Sequence, residues 1–97
     1  MQTRFQVHHG AIPKMPTHVR LQFDQLRQKW VVLAPERVLW PDDVSVDILK
    51  LCDGTLTLSQ IVDRLADDYG ADRSEIDADV TEFLQGWADQ RLVVEAA

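Results

Sequence analysis

From residue 19 onward the alternation of apolar and polar residues changes its period once, and that change divides the chain into a strand half and a helical half. Val19-Arg20-Leu21-Gln22-Phe23-Asp24 alternates at every step, the period of a strand with one buried face. Gln25 to Gln28 makes a turn, and Lys29-Trp30-Val31-Val32-Leu33-Ala34 follows, rich in the β-branched and aromatic residues that suit a pleated surface. Pro35 presets its φ for the second position of a tight turn, Ala34-Pro35-Glu36-Arg37. Arg37-Val38-Leu39-Trp40 is a third short strand, stopped by Pro41.

The period then becomes 3.6. Asp42 or Asp43 caps a helix whose Val44, Ile48, Leu51 and Cys52 share a face, and Gly54 ends it in a left-handed conformation. Thr57-Leu58-Ser59-Gln60 has the capping-box spacing, a hydroxyl three residues before a Gln. Leu58, Ile61, Val62, Leu65 and Tyr69 follow as the stripe of a second helix, closed by Gly70. Asp72-Arg73-Ser74-Glu75 opens a third, with Ile76, Val80, Phe83, Leu84 and Trp87 as its apolar face. Leu92-Val93-Val94 is a closing strand or the packed end of the chain. A three-stranded antiparallel sheet followed by three helices, the first two joined by the short link Asp53–Thr57, predicts a winged-helix-like α+β domain. Residues 1–16, with Pro13 and Pro16 set where a helix or ladder would have to continue, read as a flexible, poorly ordered N-terminal arm. The domain proper is expected over residues 17–97.

Length and charge narrow what such a domain can do. Ninety-seven residues hold one modest core and little room for a deep pocket. No apolar run approaches the roughly 18 residues a membrane span needs. The N-terminus lacks the apolar stretch of a secretory signal, and the single Cys52 precludes an internal disulfide, which suits the reducing cytoplasm. The net charge of −6 disfavours nucleic acid and anionic membranes. Between Asp72 and Arg91 six acids stand against two bases, so a recognition helix there would be repelled from the major groove.

Catalytic candidates are few. His8, His9 and His18 have no carboxylate or thiol at metal-ligand spacing, and Cys52 lies on an apolar stripe, where a thiol keeps a high pKa. Gly54 and Gly70 are helix stops rather than a phosphate loop. The expectation is no catalytic residue, no metal and no cofactor. The second and third strands carry apolar residues on both faces. One face must cover the helices; the other is covered by something else in the chain or left open as an apolar patch. If the third strand lies at the sheet edge, its free backbone groups could receive an extended peptide by strand addition. Alternatively, Leu39 and Trp40 pack against the arm or the third helix.

Several stretches together resemble the PqqD family of pyrroloquinoline quinone (PQQ) biosynthesis. They are Pro16-Thr17-His18-Val19-Arg20-Leu21, Trp30-Val31-Val32-Leu33-Ala34-Pro35-Glu36-Arg37, Ile48-Leu49-Lys50-Leu51-Cys52-Asp53-Gly54 and Ile61-Val62-Asp63-Arg64-Leu65, with Asp79-Val80, Phe83-Leu84 and Leu92-Val93. The resemblance spans residues 16–94. It implies a peptide chaperone of the kind called a RiPP recognition element, which binds the leader of a ribosomally made precursor. The implied partners are the precursor peptide PqqA and the radical SAM enzyme PqqE, which cross-links a Glu and a Tyr in it; some members are fused to PqqC. The leader is then expected as an added strand against the third strand, walled by the last helix. That implies a peptide-binding set of Arg37, Val38, Leu39, Trp40, Arg73, Ile76, Val80 and Phe83. Most of the apolar residues of that helix must be core, since they form its only apolar face. The alternative is a leader-recognition domain of another peptide-modifying pathway, with a DNA-binding regulator a distant third.

Overall fold

The computed structural model of the protein describes residues 5–96. The elements in chain order are β1 (Pro13–Lys14), β2 (Arg20–Asp24), β3 (Lys29–Ala34), β4 (Arg37–Leu39), α1 (Asp43–Lys50), α2 (Leu58–Tyr69), α3 (Arg73–Asp89) and β5 (Val94–Glu95). The three strands and three helices expected from the pattern are therefore present. β2, β3 and β4 form an antiparallel meander in that order, with Gln22 opposite Val31 and Val32 opposite Leu39. The β2–β3 turn is held by the Asp24 carboxylate, which accepts the N–H groups of Leu26 (2.9 Å) and Arg27 (3.1 Å). The β3–β4 turn has only Pro35 and Glu36 between its strands, and Glu36 takes a left-handed φ of 61°.

Each helix starts on the cap its sequence announces. Asp42, not Asp43, caps α1 by accepting the Ser45 N–H at 2.8 Å. Thr57 and Gln60 form the reciprocal capping box of α2, at 3.2 and 2.8 Å. Asp72 accepts the Ser74 N–H at 2.8 Å. Gly54 (φ 86°) and Gly70 (φ 59°) are both left-handed, but only Gly70 caps a helix. α1 ends at Lys50 with Leu51 as its right-handed C-cap, so Cys52 lies beyond the helix and Gly54 turns the loop that follows. The core joins Val32 of the sheet to Ile48 and Leu49 of α1, Leu58, Ile61, Val62 and Leu65 of α2, and Val80 and Leu84 of α3, with Val93 closing it. Completely burying a Val or Leu here contributes about 2 kcal/mol each. Two stripe residues depart from expectation. The buried face of α1 is turned toward Val46, so Val44 is exposed; Tyr69 is also exposed, with its hydroxyl donating to Asp47.

The arm is the larger departure. Residues 1–4 lie outside the described part, but residues 5–16, expected to be poorly ordered, are laid down on the domain. Pro13–Lys14 pairs with Val94–Glu95 as a two-stranded sheet, and Ala11 and Pro13 are buried. The carbonyls of Ala11 and His9 accept the N–H groups of Leu58 (2.8 Å) and Ser59 (3.1 Å). These are donors of the first turn of α2, which no residue of the helix itself can satisfy. The Gln85 side chain of α3 grips the arm further up, accepting the Val7 N–H (2.9 Å) and donating to the Phe5 carbonyl (3.0 Å). The prolines do prevent a long strand; the partners that hold the arm come from distant parts of the chain.

Candidate functional site

β4 pairs with β3 on one side only, and among the described residues no strand lies on its other side. The two-residue loop makes Ala34–Arg37 a hydrogen-bonded pair, and such pairs alternate along an antiparallel ladder. Arg37 and Leu39 therefore turn their N–H and C=O groups to β3. Val38, and Trp40 one pleat further, turn theirs outward. The free edge thus carries backbone donors and acceptors at alternate residues.

The side chains alternate in the opposite sense, above and below the sheet. Leu39 is half-buried and packs on the core, as Val32 opposite it does. Val38 (58% exposed) and Trp40 (48% exposed) lie on the outer face, with the Arg27 guanidinium 5.5 Å from the centre of the Trp40 ring. The turn end of β4 adjoins the C-terminal end of α3, where Arg37 Nη2 donates to Gln90 Oε1 at 2.7 Å. Along one flank of α3, Ile76, Phe83 and Trp87 are half-buried, and the Phe83 and Trp87 rings are 5.2 Å apart.

Of the eight residues picked out from sequence, the structure puts Arg37, Val38, Leu39 and Trp40 on the free strand and Ile76 and Phe83 on that flank of α3. It does not bring the other two to them. Val80 is 2% exposed and belongs to the core, because it sits at the centre of the helix's apolar face. Arg73 is turned to α2 and the arm side: its guanidinium donates to Asp63 and to Ser59 Oγ (3.0 Å), with Asp77 at 3.6 Å. Gln90 was not singled out by the pattern. The available signal was its position three residues after Trp87, on the same flank.

Two titratable groups away from this edge are shifted by their surroundings. Cys52 is buried, and burial pushes its thiol up to about 12, with the neighbouring Asp53 charge adding to the effect. His9 bridges to Asp77 at 2.8 Å, and the hydrogen bond from His9 is the main cause that holds the Asp77 carboxyl below its usual value. Among the described residues no group of three or more His, Cys, Asp or Glu side chains could hold a metal ion. No described helix is long and apolar enough to cross a membrane.

This combination defines a winged-helix-like α+β domain whose edge strand, among the described residues, is free and flanked by apolar side chains. The sequence profile described as "Coenzyme PQQ synthesis protein D (PqqD)" matches residues 29–93. The chain belongs to the PqqD family. A "PqqA binding protein" of Rhodopseudomonas palustris (strain BisB5) is 52% identical over 90 residues, covering 93% of this chain and 88% of that protein. The "Bifunctional coenzyme PQQ synthesis protein C/D" of Methylorubrum extorquens is 46% identical over 82 residues, 84% of this chain but 22% of that protein. The solution structure of the PqqD truncation of Methylobacterium extorquens PqqCD, described as a functional, stand-alone RiPP recognition element, superposes with a TM-score of 0.75. It is 44% identical and covers 90% of this chain and 93% of that one.

Proposed function

We propose that this chain is a peptide chaperone of PQQ biosynthesis, which binds the precursor peptide PqqA and presents it to the radical SAM enzyme PqqE. The observation that carries the reading is the free edge of β4, whose outward N–H and C=O groups at Val38 and Trp40 are available to an added strand. PqqA then lies along β4, with Leu39 on its inner side and the Ile76, Phe83 and Trp87 flank of α3 as the far wall. Backbone pairing supplies affinity, and alternate peptide side chains facing that wall supply selectivity. Arg37 stays on the turn side, tied to Gln90.

In this role the protein catalyses nothing itself and works in the cytoplasm, where the peptide is made. Its part is to order an otherwise flexible peptide before the enzyme acts, so that the ordering entropy is met in the first binding step. Kinship with a C/D fusion supports an association with PqqC as well.

Chemical-shift mapping with synthetic PqqA tests the reading. The expected result is a continuous set of shifts over residues 37–40 and 83–90, with little change along the arm. Shifts confined to the arm side of α3 would overturn it. Mass spectrometry of PqqA after incubation with the pure protein should show no covalent change; any mass shift without PqqE would refute the non-catalytic role.

A further inference from the structure

The peptide site described above uses the backbone edge of Val38 and Trp40 and leaves the side chains on the outer face of the β2–β3–β4 sheet unassigned. Val31 and Leu33 lie there by the strand alternation that sends Val32 into the core, and Val38 and Trp40 lie beside them on β4. None of these four side chains packs into the core cluster. With Gln22 and Arg27 they line an open groove of about 490 Å³. Val31 is buried and Leu33 half-buried, so they floor the groove, while Val38 and Trp40 are exposed along its β4 side. Exposed apolar groups beside such a floor mark a contact surface.

The charge around the groove says what it contacts. Residues 19–40 carry four basic against two acidic side chains, whereas residues 41–97 carry four basic against fourteen acidic. Arg20, Arg27 and Lys29 are exposed, and the strand register puts Arg20 and Lys29 on the outer face opposite Leu33 and Asp24. Asp24 is already engaged by Arg27 (2.9 Å) and by two backbone N–H groups. The face is thus an apolar floor with a basic rim, on a body that is otherwise strongly acidic. Screening over about 8 Å makes the local rim count for more than the net charge. Because Arg27 and Asp24 offset each other, Arg20 and Lys29 give the rim its net positive charge. Two cations beside an apolar floor are too few for a phosphate backbone. They fit the layout of a protein interface, with an apolar centre and a polar rim.

We propose that this outer sheet face is a second docking surface, which receives an acidic, apolar-centred surface of the enzyme that modifies the bound peptide. The choice of that enzyme rests on the function proposed above. β4 then serves two ligands at once, the peptide along its edge and the enzyme across its outer face. Presentation follows from that sharing, because an enzyme seated on the side chains of Val38 and Trp40 touches the strand that carries the peptide. Acidic helices on the rest of the body steer an acidic partner toward this end.

The test uses the full chain, PqqE and synthetic PqqA. The charge reversal Arg20→Glu with Lys29→Glu leaves the β4 edge intact. The neutral pair Arg20→Gln with Lys29→Gln avoids placing Glu opposite Asp24, and thermal melts check the folding of both. The expected result is PqqE binding weakened tenfold or more by the reversal and less by the neutral pair. Parent binding should also weaken with added salt, and PqqA affinity should stay within twofold throughout. Equal PqqE binding by parent and reversal, or none by the parent, overturns the docking face while the PqqA titration stands on its own. PqqE binding that the reversal abolishes, in a parent that never binds PqqA, keeps the face and sinks the peptide reading. Sedimentation that finds a parent dimer abolished by the reversal makes the face a self-contact and overturns the proposal.

Discussion

Proline at Val38 and at Leu39 separates the two jobs of β4, because adjacent residues of an edge strand point their N–H groups in opposite directions. The two-residue β3–β4 loop settles which is which: Leu39 bonds to Val32, and Val38 faces outward. Leu39→Pro removes an inward donor and leaves a Val32 carbonyl in the buried ladder unsatisfied, at a cost of about 1–3 kcal/mol. Loss of half-buried Leu39 packing adds about 1 kcal/mol. The sum, roughly 3 kcal/mol, lowers the melting temperature of a domain this size by about 15 °C. Val38→Pro removes no ladder bond and changes a side chain that is already 58% exposed. Its stability should change by less than about 1 kcal/mol, since an edge position tolerates proline. Its effect falls on PqqA: one peptide carbonyl loses its donor, weakening binding by about 1.5–3 kcal/mol, or roughly 10- to 150-fold in Kd. Val38→Ala keeps the N–H and is the control. Thermal melts and a fluorescence titration with labelled PqqA read both quantities. A well-folded Val38→Pro that binds PqqA as tightly as the parent removes β4 as the docking edge. A Val38→Pro less stable than Leu39→Pro refutes the assigned register.

Three further outcomes follow from the packing. Cys52 should react slowly with thiol reagents in native buffer and fast in denaturant. Its thiol is raised from 9.0 to about 12, so the stability it contributes is complete below pH 9 and declines as pH rises from about 9 toward 12. Denaturant melts in which Cys52→Ala shows the same alkaline decline as the parent would contradict this. The same substitution has opposite signs at two glycines. Gly54→Ala should destabilise by about 1–2 kcal/mol, since φ is +86° there. Gly86→Ala, inside α3 with open space around its Cβ, should stabilise by about 1 kcal/mol; changes of the same sign would refute the argument. Gln85→Ala should speed amide exchange at Val7 with little change in melting temperature. Acid should release the same segment, because the hydrogen bond from His9 holds the Asp77 carboxyl below the usual carboxylate range and its contribution is lost as pH falls through that lowered value. Unchanged exchange in both cases would show that the side-chain contacts do not hold the arm.

Local rules carried most of the fold from sequence to structure. The change of period at Pro41, the capping box at Thr57 and Gln60, and the left-handed stop at Gly70 involve residues within a few positions of one another. Physics acting over that range can be read along the chain. The stripe of α3 was legible in the same way, so Val80 and Leu84 could be placed on its apolar face. Which flank of that stripe would remain partly open was not, because the answer depends on what α2 and the sheet cover.

What only the tertiary structure decided lies at long range. The arm looked unstructured because its partners, Gln85, Asp77, Glu95 and the free N–H groups of α2, come from distant parts of the chain. Arg73, read as a groove residue, was drawn to Asp63 and Ser59 by the docking of α3 on α2. The edge position of β4 also depends on strand order, since a three-residue strand such as Arg37–Leu39 looks the same at the centre of a sheet as at its rim. Sequence alone determined β2 to β4, the three helices and the N-caps of α2 and α3, because each depends on neighbours in the chain. Which backbone groups and side chains remain free for a partner was decided by tertiary packing, because burial and pairing depend on every element at once.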